Sequence, residues 1–350
     1  MKKYTLLLLL TTISHITIAQ APYAPEFAGK NHRQFDFWIG VWDVNLRIQQ
    51  EDGAWEDQVK AEAHIYPILD GKAILELWNE TSRANGIKGF SLRYFREDLN
   101  QWELWLNWPG PNRSGTSTLT GQFRHGRGEF FSTRMTDDDT ELISRYTFTD
   151  ITKNSLRWDD AYSTDDGKTW SNQWIMEFDR KRQDPPPVRP DRGLNTYTSD
   201  DRCTLEGFTA LENWTGDFQG EVEYLDDGRW ERSAATFQGY PILDGCAVLH
   251  FMAFRRGRDT HKSFGFHTFN TYGNQLEYHY LDNIPGNVLQ TFFGDETNGK
   301  VEMNGYDMRN NEPTHQRFEW TFSERELSFE VFEEIDGQWT AAFRGRFQRN

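Results

Sequence analysis

Histidine is the residue type here best suited to chemistry near neutral pH, because an imidazole exchanges a proton in that range and also binds transition metals. Of the nine histidines, His15 lies near the N-terminus and His32, His64 and His125 follow in the first half of the chain, while His250, His261, His267, His279 and His315 crowd the second. His250 and His267, with Tyr278 or Asp282 to orient a ring or share its proton, form a candidate acid–base set. Such a set suits a lyase, isomerase or hydrolase of carbohydrate or aromatic metabolism. His250, His267 and His279 also offer transition-metal ligand types. No HxH, HExxH or CxxC spacing accompanies them, so neither a metal nor another cofactor is expected. A plainer reading keeps the histidines as hydrogen-bonded core groups of a protein that only binds a small or glycan-like ligand.

An internal duplication singles these positions out. Tyr66-Pro67-Ile68-Leu69-Asp70-Gly71 recurs 174 residues later as Tyr240-Pro241-Ile242-Leu243-Asp244-Gly245. Matching Gly89-Phe90 to Gly265-Phe266 and Gln101-Trp102-Glu103 to Gln275-Leu276-Glu277 sets Glu76 opposite His250, Ser91 opposite His267 and Trp105 opposite His279. Glu76, Ser91, Arg93, Trp105, Arg145, His279 and Arg317 are the candidate ligand-binding residues. Arg145 and Arg317 precede Tyr146 and Phe318 in corresponding strands, and an inward guanidinium there would suit a carboxylate or sulfate. Trp78, Trp102, Trp105 and Trp108 offer indoles for a sugar face or an apolar ligand, against the simpler alternative of barrel packing.

The elements that must carry these residues are strands. Trp102 to Trp108 and Phe318 to Phe322 alternate with a period of two. Asp-Gly pairs at 52–53, 70–71, 166–167, 227–228 and 336–337 punctuate the pattern. The spacing predicts an antiparallel meander of roughly eight to ten strands per copy, closed into a barrel to avoid open edges. Short helices near Asn31–Trp38 and Thr209–Trp214 are expected to plug the barrels. The fold class is all-β: tandem lipocalin-like barrels over 31–180 and 203–350, joined by a proline-rich linker at 181–202. Alternation places Glu76, His250, Ser91 and His267 inward. For the strand holding Leu276, Tyr278, Tyr280 and Asp282 on one face and Glu277 and His279 on the other, the sequence does not decide which face is inside. Cys203 and Cys246 are either a disulfide or two buried thiols.

Phe35-Asp36-Phe37-Trp38-Ile39-Gly40-Val41-Trp42 resembles the opening signature of a poorly characterised family of exported bacterial lipocalin- or calycin-like β-barrels. Ile68 to Trp78, Gly89 to Tyr94 and Asp165 to Trp170 fit its pattern too, and the second copy follows it more weakly. The resemblance implies a barrel and export, and no particular reaction. Met1-Lys2-Lys3, the apolar run to Ile18 and Thr17-Ile18-Ala19 independently read as a signal peptide over 1–19, placing the protein in the periplasm or outside the cell.

Other features exclude functions. A formal charge of −16 repels phosphate backbones and anionic lipid, so no nucleic-acid partner and no stable membrane association are expected. The dinucleotide fingerprint, the phosphate loop and the G-x-S-x-G elbow are missing. Ser163-x-Asp165-x-Gly167-x-Thr169-Trp170 matches an Asp-box and reads as a folding device. Asp159-Asp160 reads as a solvated turn.

Overall fold

The structure, a computed structural model, describes residues 23–350 except 51, 83–85, 109–115, 137, 185–202, 204–205 and 310–311. The leader at 1–19 and most of the linker lie outside the described residues. Two closed antiparallel barrels of ten strands each follow one another along the chain, so the all-β tandem expectation holds. The first comprises β1 (Gly40–Gln49), β2 (Trp55–Ile68), β3 (Ala73–Glu80), β4 (Lys88–Arg96), β5 (Gln101–Asn107), β6 (Thr116–Arg124), β7 (Arg127–Met135), β8 (Glu141–Thr149), β9 (Ser155–Ser163) and β10 (Ser171–Arg182). The second comprises β11 (Gly216–Asp226), β12 (Arg229–Ile242), β13 (Ala247–Arg256), β14 (Asp259–Asn270), β15 (Gln275–Asp282), β16 (Gln290–Thr297), β17 (Lys300–Arg309), β18 (Glu312–Phe322), β19 (Glu326–Ile335) and β20 (Gln338–Arg349). Pairing of β1 with β10 and of β11 with β20 closes each sheet and removes its edges.

Local chemistry explains the turns. Asp227-Gly228 and Asp336-Gly337 each join adjacent strands with both residues at positive φ, the type I′ geometry that suits the strand twist. The opening signature has a similar reason. Phe35 and Trp38 belong to a short 3-10 plug, Asp36–Trp38 with Phe35 as its N-cap, whose rings fill the barrel end. Gly40 then turns the chain into β1 at φ +132°, where a Cβ would lie 2.5 Å from the Arg182 carbonyl oxygen. Gly216 repeats that conformation at φ +133° after the plug Glu206–Trp214 of the second barrel. Thus Trp-x-Gly survives in both copies although the rest of the signature does not.

Cys203 and Cys246 form a disulfide that ties the second plug to the turn before β13. Closing a loop of that size contributes about 4 kcal/mol in the chain-entropy view. The Asp-box is a hairpin clasp: Asp165 accepts bonds from the Thr169 amide at 2.9 Å and hydroxyl at 2.7 Å, while Trp170 Nε1 donates to the Gly167 carbonyl at 3.0 Å.

The barrels are packed wall to wall. Leu75, Leu77, Phe90 and Leu92 on the outer face of β3 and β4 join Leu249, Phe264 and Phe266 in one apolar cluster. Phe90 meets Phe266 edge-on at 4.8 Å, and Trp105 meets His279 at 5.5 Å. The first copy of the repeated turn also reaches across. Asp70 pairs with Lys262 and accepts a bond from Asn283 at 3.0 Å, and Lys72 Nζ donates to the Ile284 carbonyl at 2.6 Å. Among the described residues no helix is long and apolar enough to cross a membrane.

Candidate functional site

The strand alternation of β13, β14 and β15 directs His250, His267 and Tyr278 into the second barrel, above the Trp214 plug. His267 is fully buried as the middle layer of a stack, 4.0 Å from the Trp214 ring on one side and 4.4 Å from Tyr278 on the other. Its Nε2 lies 3.1 Å from His250 Nδ1, so one imidazole donates to the other. His267 Nδ1 has no hydrogen-bond partner. An orphaned acceptor is tolerated in a protein interior better than an orphaned N–H. The favoured tautomers therefore have His267 donating from Nε2, and His250 carrying its own proton on Nε2. Gly265, opposite His250 across β13 and β14, makes room for that edge: a Cβ there would lie 2.5 Å from His250 Nε2.

Desolvation sets the electrostatics. It pushes His250 down to about 3 and holds His267 well below the usual imidazole value, with the neighbouring histidines adding to the effect. Both rings are neutral at physiological pH. Burial likewise raises the Tyr278 phenol well above its ordinary value, so it stays protonated. A base that protonates only near pH 3 is a poor proton acceptor at pH 7. The pair is better described as a neutral hydrogen-bonding floor.

Above that floor lies a cavity of about 640 Å³. Its walls are apolar and aromatic, with Phe237, Met252, Phe254, Phe318, Trp320 and Phe329. Its rim is polar and carries Arg256, Asp282, Gln290, Asp307, Gln316 and Glu333. Asp282 accepts bonds from the Ile284 amide at 2.9 Å and from Asn287 at 3.1 Å, which fixes the rim loop. Gln290 donates to Asp307 at 2.5 Å and Gln316 to Glu333 at 3.3 Å. Among the described lining residues three carboxylates stand against one arginine, with Lys72 near Asp282 behind them, and the balance at the entrance is acidic.

The structure therefore brings His250, His267 and Tyr278 together and leaves Asp282 at the rim. It also turns four of the ligand-binding candidates away from the lumens, settling for His279 a face the sequence left open. His279 points away from the lumen, since its face of β15 packs on the first barrel. It stacks on Phe266 at 4.2 Å and lies 3.5 Å from Glu277. It therefore cannot converge with His250 and His267 on one metal ion. Trp105, its counterpart, lies in the same inter-barrel contact. Arg145 and Arg317 are also outward, because Tyr146 and Phe318 take the inward positions beside them. Arg145 covers the Trp170 ring at 4.0 Å, and Arg317 covers Trp339 at 4.6 Å.

The remaining three candidates are inside the first barrel. Glu76 accepts a bond from Ser91 at 2.6 Å and from Arg93 at 3.3 Å, and the guanidinium lies 3.9 Å from the Trp38 ring. Strand register revises the comparison of the copies. Glu76 pairs with Ser91 and His250 with Gly265, so His267 occupies the place of Arg93, two residues from the sequence match. The plug stack of Trp38, Arg93 and Glu76 thereby becomes Trp214, His267 and His250, an ion pair replaced by two neutral rings. Sequence reasoning missed Asp160. It is on β9 rather than in a solvated turn, and it faces the lumen between Tyr146 and Trp174. The alternation of Trp158, Asp160 and Tyr162 was the available signal.

No protein-family model and no curated protein matches the chain. Among solved structures, Rv2717c from M. tuberculosis is similar at 12% identity and a TM-score of 0.33, covering 42% of this chain and 98% of that one. A DUF3598-family protein of unknown function from Nostoc punctiforme shares 11% identity at a TM-score of 0.22, covering 92% of this chain and 100% of the other. A transferrin binding protein B variant from Haemophilus parasuis shares 7% identity at a TM-score of 0.20, covering 89% of this chain and 75% of the other.

Proposed function

We propose that the second barrel is a receptor for a small amphipathic molecule, held with an apolar or aromatic body inside and its hydroxyl or amine groups at the rim. The observation that carries this reading is the 640 Å³ cavity with aromatic walls and an acidic polar rim. His250 supplies an N–H donor to an acceptor atom at the buried end. The acidic entrance disfavours anionic ligands, and the polar groups of a glycan would find partners only at the rim. The depressed imidazole pKa values weigh against His250 and His267 as acid and base. We further propose that the chain is an exported member of the family its opening signature resembles, working in the periplasm or outside the cell. Recovery of secreted protein beginning at Gln20 would support that, and retention of the leader in the cytoplasm would refute it.

Binding is tested by titrating the protein with the uncharged fluorophore N-phenyl-1-naphthylamine. Saturable enhancement is expected, and Val331→Trp, which fills the second cavity, should weaken it at least tenfold. Equal binding by the variant would overturn the assignment to this barrel.

A further inference from the structure

The first barrel encloses its own cavity of about 250 Å³, and its chemistry differs from that of the second. Trp78, Trp108 and Trp174 form one aromatic corner. Trp78 meets Trp108 at 5.4 Å and Trp174 at 5.7 Å, both edge to face, and Trp108 lies 6.0 Å from Trp174. Gly89, paired with Trp78 across β3 and β4, keeps the space for Trp108, since a Cβ there would lie 2.2 Å from that indole. Asp160 lies directly across from Trp174 on the neighbouring strand.

Asp160 is 5% exposed and lines this cavity. Tyr162 donates to its Oδ2 at 3.1 Å, but its Oδ1 is buried with no partner. Among the described residues lining this cavity, the other two charges are paired with each other: Arg93 is bound by Glu76 and stacked on Trp38. The groups facing Asp160 are Tyr146 from β8, Tyr162 from its own strand and Trp174 from β10, with Arg93 and Glu76 further along the lumen and the exposed Arg134 of β7 near Tyr162. Both tyrosines are held protonated by burial, and among the described residues no cation pairs with Asp160. A buried carboxyl without a counter-ion is costly when ionised, and burial accordingly raises Asp160 to about 7. The second barrel has no equivalent. Register puts Val331 in the place of Asp160 and Phe343 in the place of Trp174.

We infer that the first barrel binds a small organic ammonium ion, its charge on the Asp160 carboxylate and its alkyl groups against the indole faces of Trp78, Trp108 and Trp174. Indole faces attract a cation through the ring quadrupole, and a desolvated carboxylate adds a charge-assisted contact. Trp78 and Trp174 also have buried indole N–H groups without partners, which suits a ligand carrying a hydroxyl or ether oxygen as well. This site is separate from the receptor cavity of the second barrel and does not depend on it.

Choline is the probe, and 3,3-dimethylbutan-1-ol, its uncharged isostere, is the control. In the full chain, choline should bind saturably by calorimetry at least tenfold more tightly than the alcohol. Asp160→Asn, whose fold is checked by its thermal transition, should lose at least tenfold in choline affinity and leave the alcohol unchanged. The unmodified protein gives a second measurement. Only ionised Asp160 pairs with the cation, so choline affinity should fall about tenfold from pH 7.5 to pH 6 while the alcohol shows no trend. No saturable choline binding, choline and alcohol of equal affinity, or pH-independent choline binding would each overturn the inference.

Discussion

At the residue scale, the two lumens show two ways of burying polar groups. In the first, Glu76 and Arg93 form an ion pair buried almost completely. Removing one partner strands the other, so Glu76→Gln should lower stability in urea by about 3 kcal/mol, while the double change Glu76→Leu with Arg93→Leu should recover most of it. In the second, the pair is His250 with His267, neutral and hydrogen-bonded. Its consequence is a pH dependence of stability. Between about 6.5 and about 3 the unfolded chain protonates His250 while the folded protein does not, so stability falls as pH falls through that window. His250→Phe should flatten this acid limb of the thermal transition by up to about 1.4 kcal/mol per pH unit. Asp160 works in the opposite sense. Its raised pKa means the folded protein holds a proton that the unfolded chain releases from about pH 4 upward, so stability is lost as pH rises toward 7. Asp160→Asn should remove that loss, and an unchanged profile would show that Asp160 is ionised and compensated.

At the scale of elements, each barrel depends on where its plug enters and how its hairpins turn. Gly40→Ala would force a Cβ into the Arg182 carbonyl at a φ that L-residues avoid, so the first barrel should lose at least about 2 kcal/mol or fail to close. The Asp-box should behave as a clasp without binding activity. Asp165→Ala removes both bonds to Thr169 and should lower the urea midpoint with N-phenyl-1-naphthylamine affinity unchanged. Much of this scale was legible in the sequence. The Asp-Gly pairs and the period-two runs located most strands, because a pleated strand must alternate and a tight hairpin needs positive φ. Asp159-Asp160 misled because adjacent carboxylates usually mean a solvated turn, whereas here one faces outward and pairs with Arg157 and the other faces the lumen.

For the whole molecule, the decisive feature is that the barrels share a wall. An ordinary barrel strand is apolar on one face only. β15 is buried on both, Tyr278 toward the lumen and His279 toward the first barrel. The separated second barrel would expose Leu249, Phe264 and Phe266. Expressed as residues 203–350, it should aggregate or self-associate at concentrations where the full chain is monodisperse by light scattering. A well-behaved monomer would show that the shared wall contributes little. The disulfide lies within the second barrel and ties the approach to its plug to the turn before β13.

The sequence by itself determined the duplication, the all-β class, the turn positions and the inward parity of Glu76 and His250, because these follow from short-range periodicity and backbone conformation. Tertiary structure alone decided that His279, Trp105, Arg145 and Arg317 face out, that His267 replaces Arg93 rather than Ser91, and that Asp160 is a buried carboxyl with no ion-pair partner among the described residues. Those outcomes depend on cross-strand register and on what covers each outer wall, and a single strand read along its length contains neither.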